Sequence, residues 1–395
     1  MLAVAALAAN GAYAQTQGEE NVLREASAKR DGISFHRPGL DLGLYGLLDL
    51  TFTSTNNANA KGDSERNFGT PWFSGSRWGV IGSRNLGSFP SVIFKLEGEF
   101  VIGTGNLDTA GTIFNRDAWV GFFGDATGKL TMGRQNTLPR DFSGNWGDPY
   151  LSDGQVTYEE RGWTNTNNFK QLIYYAASPT STRWDRGVVY KKDFGPVMIG
   201  LGHQFQSPGA GNDPVAGQDS HNTSNAAGIA YNGGQFNASG FYNQSDVFTF
   251  KHKSYGVGGN AGVSIVRVYG GLFHYTAEQP AAVGERRDNA WTLSVRLTPA
   301  GPLDYEAGYA RFKTAHAGLN SAGFVLFPYA NTTSVASGVD GSKVTFYGSV
   351  FYHFDRTTEV YVAADRMKTK DGWADRASFG KSSQTELAIG LRTRF

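Results

Sequence analysis

The sequence contains no cysteine. That absence removes disulfides, thiolate metal sites and cysteine nucleophiles together. An excess of one charge is also missing: 36 Lys and Arg stand against 35 Asp and Glu over 395 residues, a formal charge of +1. Neither a nucleic-acid binder nor an acidic disordered tail fits that balance. Long apolar runs are absent too. Beyond the first ten residues nothing approaches the ~18 consecutive apolar residues of a transmembrane helix, and mean hydropathy is −0.36. A helical membrane protein is excluded. Glycine, in contrast, is abundant at 52 residues, nearly twice the usual ~7% share, and aromatics make up 13% of the chain. Together they favour β-structure with many turns.

From Leu40 onward the apolar residues recur with a period of two, the signature of strands with unlike faces. Leu40, Leu42, Leu44, Leu48, Leu50 and Phe52 share one face, and Asp41, Tyr45, Asp49, Thr51 and Thr53 share the other. The alternation returns at 92–100, 291–297, 303–309 and 386–392. Connections alternate in length: short ones near 85–88, 125–128, 193–195, 232–234, 299–302 and 354–356, long ones at 56–73, 136–182, 207–224, 276–287 and 314–342. Short turns at one end and long loops at the other are the pattern of a membrane-spanning antiparallel barrel. About sixteen alternating segments can be counted, starting near residues 40, 74, 92, 113, 129, 183, 197, 226, 235, 254, 264, 289, 303, 343, 358 and 384. Residues 40–395 then allot about 22 residues to each strand and its connection, consistent with such barrels.

A soluble sandwich shows the same alternation. Charge in mid-strand separates the two. Asp49, Lys95, Glu97, Glu99, Arg116 and Arg296 fall on the faces that would form a dry core, where unpaired ions cost several kcal/mol each. Water is therefore expected at that face, and a barrel of about sixteen strands holds an aqueous channel. Aromatics near strand ends, namely Trp78, Trp119, Phe123, Tyr190, Phe205, Tyr231, Tyr242, Trp291, Tyr309 and Tyr352, are read as interfacial girdles. The expected fold is an all-β transmembrane antiparallel barrel.

Several segments in order carry a resemblance: 44–49 (LYGLLD), 75–87 (GSRWGVIGSRNLG), 94–100 (FKLEGEF), 114–121 (FNRDAWVG), 133–135 (GRQ) and the ending 390–395 (GLRTRF). From residue 40 to the end the chain resembles the general porins of the Gram-negative outer membrane, β-proteobacterial type. The resemblance implies a sixteen-stranded homotrimeric barrel in outer-membrane lipid and lipopolysaccharide, with a third loop folded into the lumen. It implies passive diffusion of small hydrophilic solutes and ions. By position it puts Arg77, Arg116, Arg134 and Arg183, with Lys95, on the constriction wall. Facing them it puts the loop carboxylates Asp141, Asp148, Asp153, Glu159 and Glu160, offset by Arg140, Arg161 and Lys170. Tyr45, Asp49, Glu97 and Glu99 are the remaining lumen residues. Opposite charges across a narrow water column orient polar solutes and penalise apolar ones, and the arginine excess predicts a weak preference for anions.

Residues 1–14 are a short apolar run ending in Ala12-Tyr13-Ala14, the small-x-small pattern of a signal-peptidase site. Residues 15–39 read as a polar periplasmic extension, and 40–395 as the barrel. The sixth strand starts near Arg183 or, alternatively, near Phe169, since 169–179 also has strand character. A solute-specific channel is the rival reading, with Tyr45, Trp146, Tyr150, Tyr158 and Trp163 as its aromatic track. A barrel hydrolase would require a nucleophile and base, and no Gly-x-Ser-x-Gly elbow is present. The seven histidines are scattered without metal spacing. No cofactor, metal or nucleic-acid partner is expected. Asp193-Phe194-Gly195 and Gly256-Val257-Gly258-Gly259 read as a turn and as strand glycines.

Overall fold

A computed structural model describes residues 33–69, 71–147, 155–158, 182–205, 223–247, 250–326, 335, 337–377 and 380–395. The strands are β1 (Ile33–Arg37), β2 (Leu40–Thr55), β3 (Glu65–Phe68), β4 (Arg77–Leu86), β5 (Phe89–Glu99), β6 (Asp117–Gly124), β7 (Gly128–Asn136), β8 (Arg183–Phe194) and β9 (Val197–Gln204). They continue as β10 (Ser224–Asn232), β11 (Phe236–Val247), β12 (Phe250–Val263), β13 (Val266–Ala277), β14 (Arg286–Leu297), β15 (Leu303–Gly318), β16 (Gly338–His353), β17 (Thr358–Asp371) and β18 (Ser383–Arg394). One helix, α1, spans Leu138–Gly147.

All eighteen strands belong to one antiparallel sheet that closes on itself. The closure has sixteen rows, because two short strands share a row with a longer one. β3 pairs with the loop end of β2 at Phe52–Thr55, whereas β4 pairs with its other end at Leu40–Leu47. β18 likewise runs beside β2 until Arg394 meets Leu47, and β1 then takes over opposite Leu40–Leu44. The C-terminal residue completes the seam. Phe395 and Gly46 exchange both backbone hydrogen bonds, at 2.8 and 3.1 Å, and the Phe395 ring fills the space a Cβ on Gly46 would occupy.

The sixteen expected segments all appear, and the sixth barrel strand starts at Arg183. The extension at 15–39 needs a correction at its end: Ile33–Arg37 form β1 and pair with the first barrel strand. Pro38-Gly39, with Gly39 at φ 75°, supplies the reversal, so the segment folds back as a hairpin instead of stopping there. The rest of that extension, with residues 1–14, lies outside the described residues.

Side chains sort by face as the alternation requires. Leu387, Ile389 and Leu391 on β18 are 55, 62 and 46% exposed, while Ala388 and Arg392 on the other face are 1 and 2%. Exposed aliphatics and buried charges are the inverse of a soluble core, so the outer face is the lipid face. Most of the girdle aromatics point outward, including Trp78, Phe205, Tyr231, Tyr242, Trp291 and Tyr352. Trp119 and Phe123 do not. On β6 the outward register belongs to Val120 and Phe122, and the rings of Trp119 and Phe123 are buried inside.

Ile389→Arg, placed in mid-strand on the lipid face, is expected to destabilise the barrel by about 2–4 kcal/mol. Urea unfolding in lipid vesicles measures this, with a substitution at the loop end of the same face costing less than half as much.

Candidate functional site

The loop between β7 and β8 enters the barrel. Thr137 caps α1 through its own carbonyl and hydroxyl, which accept from the Arg140 amide, and Pro139 and Asp141 occupy the first turn; all three are residue types favoured at helix starts. The helix lies on the inner face of β9–β13, where glycines open room between the inward side chains. A Cβ on Gly271 would sit 1.7 Å from Trp146 Cε3, and Cβ atoms on Gly256 and Gly258 would strike the same indole. Gly200 and Gly228 leave room for Phe142 in the same way. Polar contacts lock the seat: Trp146 Nε1 donates to Ser239 Oγ at 2.8 Å, and Asn260 Nδ2 donates to the Asn145 carbonyl at 2.6 Å. Leu138, Phe142 and Trp146 are fully buried as a result.

The same loop continues along the wall to the short-turn end. Val156 donates to and accepts from the Asn232 side chain at 3.0 and 2.6 Å. The Tyr158 hydroxyl accepts from the Asp193 amide at 2.8 Å, and its ring meets Phe123 edge-on. Asn232 and Asp193 stand at short turns, so the loop's described parts run most of the depth of the lumen.

Across from the helix seat, β4, β5 and β6 carry an ionic cluster on their inner faces. The register sets Arg77 opposite Glu99 and Glu97 opposite Asp117. Arg116 pairs with both Glu97 and Glu99; Lys95 pairs with Asp117 at 2.6 Å and Glu97 at 3.7 Å; Arg77 lies 3.8 Å from Glu97. The Tyr45 hydroxyl donates to Glu97 at 2.8 Å. Arg183, at the start of β8, reaches Asp117 at 3.7 Å. Arg140 on α1 brings a further guanidinium: burial first, then Arg183 and Arg116 beside it, push its pKa below the ordinary value. A helix that rests on one wall thus presents its cationic start to the other.

Arg77, Lys95, Arg116, Arg183, Glu97, Glu99 and Tyr45 therefore meet as one group. Arg134 stands apart. It pairs in register with Ala118, on the face of Val120 and Met132, and binds Asp185 and the Asn115 carbonyl. Asp49 belongs to a second group, accepting from Tyr361 at 2.6 Å and from the Ser74 amide at 2.9 Å beside Arg392. Asp141 is buried against Lys191 at 2.6 Å and also takes Asn136 Nδ2, so the wall arginines have wall carboxylates as partners instead. Asp148, Asp153, Glu159, Glu160, Arg161 and Lys170 lie outside the described residues, as do Tyr150 and Trp163. Of the expected aromatic track, Tyr45, Trp146 and Tyr158 are held by the contacts above. Sequence reasoning missed Asp117 and Lys191. Asp117 lies inside the 114–121 motif, but only the register shows that it faces Glu97.

A closed antiparallel wall with a lipid face outside, ions inside and a loop along the lumen defines a transmembrane β-barrel of the outer-membrane type. Residues 2–372 match the family model described as Gram-negative porin, and the chain belongs to that family, whose barrels reside in the outer membrane. It is 27% identical over 207 residues to an outer membrane porin protein of Bordetella pertussis, a match covering 49% of this chain and 50% of the relative. The chain thus spans about half the length of that curated relative. Its fold is similar to that of an anion-selective porin from Comamonas acidovorans, with TM-score 0.71, 19% identity and coverage of 90% of this chain and 100% of that one. The trimer form of OmpT from Vibrio cholerae is also similar, at TM-score 0.62 and 14% identity over 90% and 100% of the two chains. Fold and family are those of a channel rather than an enzyme.

Trp146→Ala removes the largest side chain in the helix seat and is expected to cost about 3–5 kcal/mol. Gly271→Leu fills the seat from the other side. Both should free α1 from the wall, so planar-bilayer recordings are expected to show noisier current than the parent channel; quiet, parent-like current would mean the helix is held elsewhere.

Proposed function

We propose that the chain forms a water-filled pore for passive diffusion of small hydrophilic solutes and ions, with a weak preference for anions, and that it works as a homotrimer in outer-membrane lipid. The observation that carries the sign of selectivity is the composition of the ionic cluster. Arg77, Lys95, Arg116, Arg183 and Arg140 are five cations against the three carboxylates Glu97, Glu99 and Asp117, while Arg134 with Asp185 and Lys191 with Asp141 are neutral pairs. A buried cluster is screened less than exposed loop charges. By sequence the connection between β7 and β8 also carries Asp148, Asp153, Glu159 and Glu160 against Arg161 and Lys170, a negative count that makes the expected preference a weak one. The Comamonas relative of similar fold is described as anion-selective, which supports the same sign, and the trimer form of OmpT supports the assembly.

A unit charge about 8 Å from a passing ion is worth ~0.5 kcal/mol in water, about a twofold change in permeability. Reversal potentials in a salt gradient should show chloride favoured over potassium in the parent channel. Arg183→Gln should lower that ratio about twofold and Glu97→Gln should raise it; a cation-selective parent channel would refute the charge placement. Unheated samples on a gel are expected to run as a species of three chains that heating converts to one.

A further inference from the structure

Asp49 ends a longer row of charges on the inner wall, toward the short-turn end. Cross-strand register places Arg392 on β18 opposite Asp49, Glu359 on β17 opposite Arg392, and His353 on β16 opposite Glu359. One diagonal step further, Asp304 of β15 meets His353, and Arg296 of β14 meets Asp304. The signs alternate along the row when His353 is protonated. Arg392 pairs with Glu359; His353 lies 2.9 Å from Glu359 through Nδ1 and 3.0 Å from Asp304 through Nε2; Arg296 lies 2.7 Å from Asp304. The His353 side chain is 30% exposed, so lumen water reaches it.

A neutral imidazole carries one N–H and one acceptor nitrogen, so it can donate to only one carboxylate. With a carboxylate on each nitrogen, both contacts are hydrogen bonds only in the imidazolium. Arginines stay protonated and carboxylates ionised near neutral pH, which leaves His353 as the link whose charge can change there. The remaining charged and titratable groups about it are Glu306 on β15, Tyr361 on β17, Arg394 on β18 at 3.6 Å from Glu359, and Asp355 and Arg356 in the turn after β16. The Asp355 carboxylate is taken by the Thr357 and Thr358 amides. We propose that His353 is a specificity-determining residue of the pore: protonated, it completes a balanced row, and deprotonated, it leaves the wall one charge more negative and weakens the anion preference. This rests on the pore reading above. Of the other described histidines, His252 is sealed against Tyr275 and His203 and His274 bind asparagines on the outer face. His36 stands at the rim beside Asp41, 69% exposed, where salt screens it more.

Reversal potentials of the full chain in a potassium chloride gradient, taken at about pH 6 and about pH 9, test this. In the parent the chloride-to-potassium ratio should fall about twofold between the two, the effect of one charge at the wall. His353→Lys should hold the high ratio at both, His353→Gln should hold the low one, and His36→Gln should still titrate like the parent. A conducting parent whose ratio does not fall overturns the proposal alone, as does a pH dependence that survives in His353→Lys. Imidazole NMR of the parent in detergent reads the proton separately. The His353 ring should be cationic at about pH 6 and neutral at about pH 9, and a neutral ring at the lower value overturns the proposal even where the variants fail to fold. A parent without channel activity sinks the pore reading and this inference with it.

Discussion

Hydrocarbon offers no partner to a backbone N–H or C=O, so every strand crossing it must be paired on both sides. The rest of the structure follows from that demand. The sheet has to close, and it does so at β18 and β2, where Phe395 and Gly46 continue the ladder to the last residue. Sixteen rows make a wall too wide for its own side chains to fill. A lumen therefore exists before any residue in it is considered, and the two faces of each strand meet different media. Ile389 beside Arg392 is the local expression of that division.

What enters the lumen is decided by where the wall lacks bulk. Glycines on β9 to β13 let α1 come within contact distance of the backbone, and Trp146 and Phe142 occupy the room so left. The opposite wall, β4 to β6, is crowded with ions that satisfy one another. The helix connects the two, its aromatic end in the glycine-lined seat and Arg140 toward the charged wall. Selectivity and loop placement are thus consequences of one asymmetry around the barrel.

Strand number and approximate boundaries were legible because a period of two survives wherever lipid and water lie on opposite faces. Arg116 and Glu97 were legible for a related reason, since a charge in mid-strand has to face water or a partner. Trp119 and Phe123 were misplaced because an aromatic near a strand end serves equally well as a girdle residue outside or as packing for a loop inside. Their neighbours Val120 and Phe122 decided the register. Gly256 to Gly259 read as ordinary strand glycines, and nothing local distinguished them from a seat for Trp146, 110 or more residues earlier in the chain.

The amino-acid order by itself determined the class of fold, the approximate strand count, most of the lipid-facing residues and the presence of ionic groups inside, because each rests on alternation within one strand. Only the tertiary structure decided which of those ions are partners. Glu97 gathers Arg77 from β4, Lys95 from its own strand and Arg116 from just before β6, Asp141 turns to Lys191 instead of the arginines, and Arg134 faces Asp185. Pairings of that kind depend on cross-strand register and on the path of a loop through the lumen, and both are set by closure of the whole barrel rather than by any segment of it.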